Sequence, residues 1–487
     1  MELFNLLDKA IPVFGQTFDV SLGWIGAIVR WIISGFSVVG VGVIVFSMLL
    51  KLIVLPFDIY QRKAMRKQNI KMEEQKERME KLQKQYANNQ EMYNQKLMEM
   101  YKENGISMFS SCLPMIMSIL IFMGAIGGFN AYSQYSNIQN YNELVKAYNA
   151  KIESYCPDLE TASLEFTNDG KLIVRGDADD YIYYRLNAGE YTATSDVATV
   201  KAYIASTTNK EYIIDTAKVE NLAEIQDAIN GGTSVDDAAH NYFIGEAQSA
   251  VVEAYEGTVS KNTGFLWIKN IWATDAAHIH PVLTYSEFEA SASRESFEVN
   301  GEKVSYSDIS SKTGTNIYSE DAYTLITAKL TAQKESPNGY YILIALSIAT
   351  ILLQQFISMR SQKAQNKYST VDGQGASQQK MTMIMMTGMF AVFSFMYSSA
   401  FSLYMIVSNV FSLISTLIIN KVVDVKVAKQ NAQAEAVKLD NRGLSRIEAA
   451  KNAGRESAQS SRDKKLEKEE KSEDKTENNT EDKTEEK

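Results

Sequence analysis

Long apolar runs constrain this chain more than any average property does. A bilayer core is about 30 Å thick, so a helix crossing it needs about 20 apolar residues. Leu22 to Phe57 is interrupted by charge only at Arg30 and Lys51. That run is too long for one helix and too short for two helices with a turn. It reads as a surface helix over Ser21 to Ser34, then a span from Phe36 to Phe57. Trp24 and Trp31 share one face of the surface helix, and such aromatics favour the water–lipid boundary; packing against other spans is the plainer use of that face. Further spans are expected over Phe109 to Phe129 and Tyr340 to Ser358. Met381 to Ile419 holds two more, with the turn at Tyr397-Ser398-Ser399-Ala400. The expected fold class is an all-α polytopic membrane protein with a five-span helical core. The mean hydropathy of −0.20 conceals this, because a polar middle and a charged tail dilute the apolar runs.

Orientation follows the lysines and arginines, which favour the cytoplasmic face. Arg62, Lys63, Arg66, Lys67 and Lys71 follow the first span. Arg360, Lys363, Lys367 and Lys380, opposed by Asp372, follow the third, and Lys421, Lys426 and Lys429 follow the fifth. Five spans put all three groups on one side, so a plasma-membrane protein with its N-terminus outside and its C-terminus in the cytoplasm is expected. Met1 to Val20 has no signal-peptide pattern. Cys112 and Cys156 are expected on opposite faces, unable to pair.

The chain divides into an N-terminal segment, 1–35, spans one and two with a cytoplasmic hairpin, 36–135, an acidic α+β extracellular insert, 136–336, spans three to five, 337–423, and a charged, largely disordered tail, 424–487. The helical hairpin is expected over 59–106, with its turn at Ala87-Asn88-Asn89. Met65, Met72 and Met79 recur at heptad spacing, and Tyr93, Leu97, Met100 and Tyr101 stripe the returning helix. Such a stripe is either a seam between helices or an adaptable surface for apolar clients. In the insert, Asn168-Asp169-Gly170 and Asn300-Gly301 each separate two short apolar segments and predict β-hairpins. Stretches 218–230 and 243–255 predict helices. His278 and His280 lack a defined third ligand and read as an ordinary loop before a metal site.

Lys51 is the informative residue, since a lysine within a span costs roughly 2.5–3.5 kcal/mol on insertion scales. Either its stem snorkels to the headgroups or its charge faces a water-filled cavity. Ser47 lies one turn away. Ser118, Gln354, Gln355, Ser394, Ser408, Asn409 and Ser412 are polar positions in the other spans. They either bond neighbouring helices or line one hydrophilic groove with Lys51. No nucleophile elbow, HExxH or phosphate-binding loop is present, so neither catalysis nor a cofactor is expected.

Several segments carry a family resemblance. Leu50-Lys51-Leu52-Ile53-Val54-Leu55-Pro56, followed by a basic hairpin, resembles the first core span of the YidC family of membrane protein insertases. Asn104-Gly105 through Cys112-Leu113-Pro114 to Phe122 resembles the family's second span. The stretch from Phe265 to Trp272 resembles its extracellular segment before the third, and Leu353-Gln354-Gln355 the third span's end. Gln379-Lys380-Met381 and Leu403-Tyr404 to Asn409 resemble the fourth and fifth. The resemblance implies insertion of newly made membrane proteins, alone or beside the Sec translocon, through a groove open to cytosol and lipid. In that reading Lys51 stands for the family's usual arginine, the hairpin recruits clients and the basic tail assists ribosome contact. The implied partners are nascent membrane proteins and the lipid bilayer, with no direct DNA binding. Ser118 and Leu120 stand where the family often has Gln and Pro, Ser398-Ser399-Ala400 replaces a common Pro-Ser-Gly turn, and Met405 stands where Trp is common. With its enlarged insert, the chain resembles a divergent Gram-positive-type member. The residues alone also admit a small-molecule transporter with Lys51 in its site, or a membrane-anchored adhesion or sensor protein.

Overall fold

The computed structural model describes residues 10–103, 109–176, 180–207, 209–219, 222–313, 317–361 and 375–440. Lys363, Lys367, Asp372, Asn104, Gly105 and the tail beyond Asp440 lie outside the described residues, as do the side chains of Met65, Met72, Cys112 and Ser118. The chain forms two compact units, Met1–Leu55 with Cys112–Phe411, and Pro56–Ser111 with Ser412–Lys487.

The chain is mostly helical, as a helical membrane protein requires. In chain order, the helices that matter here are α1 Trp24–Ile33, α2 Val39–Glu74, α3 Lys76–Gln85, α4 Gln90–Glu103, α5 Phe109–Glu153, α6 Val235–Ala254, α7 Glu320–Thr331, α8 Ile342–Ser361, α9 Gly375–Met396 and α10 Ser399–Asp440. A helix stands at each of the five expected span positions. Among the described residues, Val39–Tyr60 and Ser399–Ile419 are long and apolar enough to cross a bilayer, while Ile342–Ile357 and Met383–Met396 are shorter apolar stretches.

The first unit begins with a tight reversal. Ser34 to Val38 turn the chain, so α2 starts at Val39 and not at Phe36. A methyl on Gly42 would lie 2.9 Å from the Ile33 Cα, so only glycine lets the two helices approach this closely. Val29 and Ile33 are buried on one side of α1, whereas Trp24, Ile28 and Trp31 are exposed. The Arg30 guanidinium lies 4.5 Å from the centre of the Tyr135 ring. A second exposed apolar surface runs along α2 through Val41, Met48, Leu49, Leu52 and Ile53, opposite buried Val43, Phe46 and Val54. Aromatic rings tie the long helices together: Phe46 meets Phe129 at 5.2 Å, Phe129 meets Tyr404 at 5.8 Å, and Phe122 lies 5.6 Å from both Phe390 and Phe401.

Helix α5 has 45 residues and is about 68 Å long at about 1.5 Å per residue, twice what a bilayer core needs. Its second half is the spine of the insert. Tyr141, Phe288, Tyr318 and Tyr323 cluster there with ring centres 4.6–6.2 Å apart. The Tyr141 hydroxyl donates to the Ile317 carbonyl at 2.7 Å. Both predicted hairpins are present. Strands β2 Ser163–Phe166 and β3 Lys171–Arg175 pair with Phe166 opposite Leu172, and Gly170 takes φ +79° in their turn. They continue antiparallel into β4 Ile182–Asn187 and β5 Glu211–Ile214. Strands β7 Ser296–Val299 and β8 Glu302–Ser305 close through Asn300 and Gly301, both at positive φ, as a two-residue hairpin demands. The helix expected over 243–255 begins earlier, at Val235, because Ser234 caps it by accepting from the Asp237 N–H.

The N-terminal segment is woven into the insert, although the sequence reading set 1–35 apart. Asp19–Val20 forms β1, an edge strand antiparallel to β7. The Ile11 N–H donates to the Tyr212 carbonyl at 2.8 Å. Asn149 on α5 donates to the Phe14 carbonyl and accepts from its N–H, at 2.7 and 3.1 Å.

In the second unit, α3 and α4 form the expected antiparallel pair, turning at Tyr86-Ala87-Asn88. The Asn89 side chain caps α4 by accepting from the Met92 N–H at 3.0 Å. Arg78 and Glu103 form an ion pair at 2.9 Å across it.

Candidate functional site

Two polar systems are buried in the first unit, one at the N-terminal ends of α8 and α10 and one between the helices themselves. The first joins the insert to helices α8 and α10. A helix N-terminus leaves backbone N–H groups without partners. Here the loop around residues 271–275 supplies acceptors to both helices. The Ser399 N–H donates to the Ala273 carbonyl and the Ala400 N–H to the Ile271 carbonyl, each at 2.8 Å. One carboxylate oxygen of Asp275 accepts from the Ile344 N–H of α8 at 3.2 Å. Asn338 is fully buried at the centre of the system. Its carbonyl oxygen accepts from the Asn270 N–H at 2.8 Å, and its amide faces the carbonyls of Asn270, Thr274 and Ala273 and the Ser399 hydroxyl at 2.8, 3.0, 3.4 and 3.3 Å. Gly339 is obligatory, since an added methyl would collide with the second Asp275 oxygen. That oxygen is buried without a hydrogen-bond partner, and burial pushes the Asp275 carboxyl above its ordinary range. Tyr340 and Tyr341 follow at φ 57° and 62°, a left-handed backbone that bulky residues seldom adopt, and both rings are exposed. The clasp is almost silent in the sequence. Asn338-Gly339 just before an apolar run is its one local trace.

The second system lies between α8, α9 and α10. Ser347 and Ser394 share a hydrogen bond at 3.2 Å. Thr387 donates to the Gln355 amide oxygen at 3.2 Å, and the Asn409 amide donates to Thr350 at 3.4 Å. Of the expected positions, Gln355, Ser394 and Asn409 thus take part in interhelical hydrogen bonds. Ser347, Thr350 and Thr387 were not singled out, although Ser347, Thr350 and Gln354 follow helical spacing on α8. Gln354 is half-buried, and Ser408 and Ser412 are buried on α10. On α2, Ser47 is fully buried and donates to the Val43 carbonyl at 2.6 Å. Lys51 follows one turn later, half-buried, on the side of α2 that carries Val43 and Ser47 and away from the exposed Leu49 and Ile53.

In the hairpin, Met79, Tyr93, Leu97, Met100 and Tyr101 are buried. That is the pattern of a seam between α3 and α4. Among the described side chains of the hairpin, the exposed methionines are Met92 and Met98, which lie off the heptad spacing. In the insert, His278 belongs to β6 His278–Ile279, paired with β9 Ser336–Pro337, and the His280 Nε2 lies 3.3 Å from Glu335. Among the described residues no group of three metal-ligating side chains forms.

No solved structure matches the chain significantly. A protein of Fusobacterium nucleatum named "Membrane protein insertase YidC" is 32% identical over 125 residues, 26% of this chain and 52% of that protein. Proteins of the same name from Clostridium perfringens and Caldanaerobacter subterraneus are 32% and 29% identical over 119 and 113 residues, covering 24% and 23% of this chain and 43% and 53% of theirs. The chain thus spans about half the length of these curated relatives. The family model described as "60Kd inner membrane protein" matches residues 31–165 and 251–427. Its gap takes in β3, β4, β5 and most of α6, while α2, α5, α8 and α9 fall inside the match and α10 does so up to residue 427. With more than half of its residues matched, the chain belongs to the 60Kd inner membrane protein family.

Proposed function

We propose that this protein is a membrane protein insertase and chaperone of the cell membrane, with five spans, the insert and N-terminus outside, and the hairpin and C-terminus in the cytoplasm. The observation that carries the reading is the family match over the helical core, together with relatives named as membrane protein insertases. A polar client segment in hydrocarbon needs hydrogen-bonding partners, because each unsatisfied group costs several kcal/mol, on the order of the water-to-hydrocarbon transfer cost. Lys51, Ser47, Ser118, Gln354, Gln355, Ser408, Asn409 and Ser412 are the groove residues of this reading, and Lys51 offers a cation to acidic client segments. Buried polar side chains in apolar helices support it. Met65 and Met72 remain the hairpin's recruitment candidates, whereas Met79 is buried in the seam. Nascent membrane proteins are the clients, with the Sec translocon and ribosome as partners.

The test is complementation. The full chain, expressed in bacteria depleted of their own insertase, should restore growth and insertion of a membrane protein that depends on it. Failure at normal membrane levels refutes the reading. Cysteines at Asn88 and Ser460 should be labelled only from the cytoplasmic side and one at Asn168 only from outside. The opposite pattern at Asn88 refutes the topology.

A further inference from the structure

Next to the clasp, a cavity of about 530 Å³ opens between α5, the segment around His280 and the loop before α10. That size is within the roughly 300–1,000 Å³ of ligand-binding clefts. One wall is a row of carboxamides: Asn130, Gln134 and Asn137 share a face of α5 and line the cavity. None of the three side chains makes a hydrogen bond among the described residues, so their donors and acceptors are available. A carboxamide offers both N–H and C=O, the two groups of a peptide backbone. Asn130 and Gln134 are separated by about 6 Å of helix rise, close to the two-residue repeat of an extended chain, about 6.6 Å. The facing wall carries Arg294, the His280–Glu335 pair, and Glu287, whose carboxylate is engaged by the Thr284 N–H and hydroxyl at 2.9 and 2.8 Å. Arg294 is exposed and has no ion-pair partner among the described residues.

We propose that this cavity is a receiving site for an extended, polar client segment that has crossed the membrane, held through its backbone by the α5 carboxamides and through acidic side chains by Arg294. The inference rests on the insertase reading. The cavity shares Asn270, Ala273 and Thr274 with the clasp, so it stands at the end of α8 and α10 where such a segment would emerge.

The full-length protein carries a photo-crosslinking residue at Ser133, on the cavity wall, or at Gln354, in the proposed groove. Each form is expressed with a client arrested after translocation of a short acidic tail. The expected result is a tail adduct at Ser133 and a transmembrane-segment adduct at Gln354. Gln134→Leu with Asn137→Leu should cut the Ser133 adduct at least fivefold and leave the Gln354 adduct unchanged, which also shows that the variant folds. Arg294→Glu should shift the Ser133 adduct from acidic to lysine-rich tails. A Gln354 adduct with none at Ser133 overturns the receiving site and leaves the insertase reading standing. A Ser133 adduct to phospholipid alone also overturns it, marking a headgroup site. Absence of both adducts removes the insertase reading and this inference with it.

Discussion

Asn338→Ala tests the clasp directly. The side chain is fully buried, and its removal takes away the acceptor of the Asn270 N–H and the donor to carbonyls of the 270–274 loop. The amide nitrogen has two hydrogens for four oxygens, so it serves two of them at a time. The substitution therefore orphans one N–H and two acceptors. At about 1 kcal/mol each, the low end for buried polar groups, the loss is about 3 kcal/mol. Unfolding entropy near 2.1 cal/mol/K per residue, over a unit of roughly 350 residues, converts this to a Tm drop of about 4 °C. The assay is thermal unfolding of the detergent-purified protein followed by tryptophan fluorescence, for which buried Trp272 in the same loop is a reporter. Asn338→Asp should be worse, because it sets a carboxylate against the same oxygens. Asn88→Ala, at an exposed position of the hairpin turn, should leave Tm unchanged. A drop below about 1 °C for Asn338→Ala would mean that water or relaxation replaces the lost bonds, and would refute the clasp as a stabilising element.

Burial raises the Asp275 pKa, so the folded protein holds that proton more tightly than the unfolded chain does. Its contribution to stability is fully present below the ordinary aspartate pKa and is lost as pH rises through the raised folded value. Asp275→Asn should flatten that part of the Tm–pH curve, and an unchanged curve would remove Asp275 as its source. Lys51→Arg should retain insertion of acidic clients, Lys51→Ala should impair it several-fold, and Lys51→Glu should be worst, measured against a neutral client at equal expression; wild-type behaviour of the Glu variant would take Lys51 out of the mechanism. Burial pushes the Cys156 thiol up to about 12, so at pH 8 roughly one part in ten thousand is thiolate. Iodoacetamide should modify half-buried Cys156 only slowly until the protein is unfolded, as read by mass spectrometry, and rapid labelling of the native protein would contradict the raised thiol pKa.

The helical core was legible because membrane helices are written in local composition. Twenty apolar residues in a row admit few other structures in lipid, where every backbone group must be satisfied within its own segment. The two β-hairpins were legible for a similar reason, since Asn300-Gly301 and Asn168-Asp169-Gly170 encode their turns in adjacent residues. Lys51 stood out because charge in an apolar run is costly wherever the helix packs. Helix ends were less legible: α2 starts after Phe36 because a turn must first reverse the chain against α1.

What the sequence by itself determined is therefore local: five apolar helices, a helical hairpin with an apolar stripe, and the turns of a polar insert. Tertiary structure alone decided which polar residues meet. Asn338 reads as half of an ordinary Asn-Gly turn until the fold brings the 270–275 loop and Ser399 around it. Asn409 and Gln355 look alike as lone polar residues in spans, and only packing gives them Thr350 and Thr387 as partners. The N-terminal strand likewise acquires its role from β7, far along the chain. The physical reason is that helix and turn propensities act over a few residues, whereas a buried hydrogen bond requires donors and acceptors that only the folded chain brings within about 3 Å.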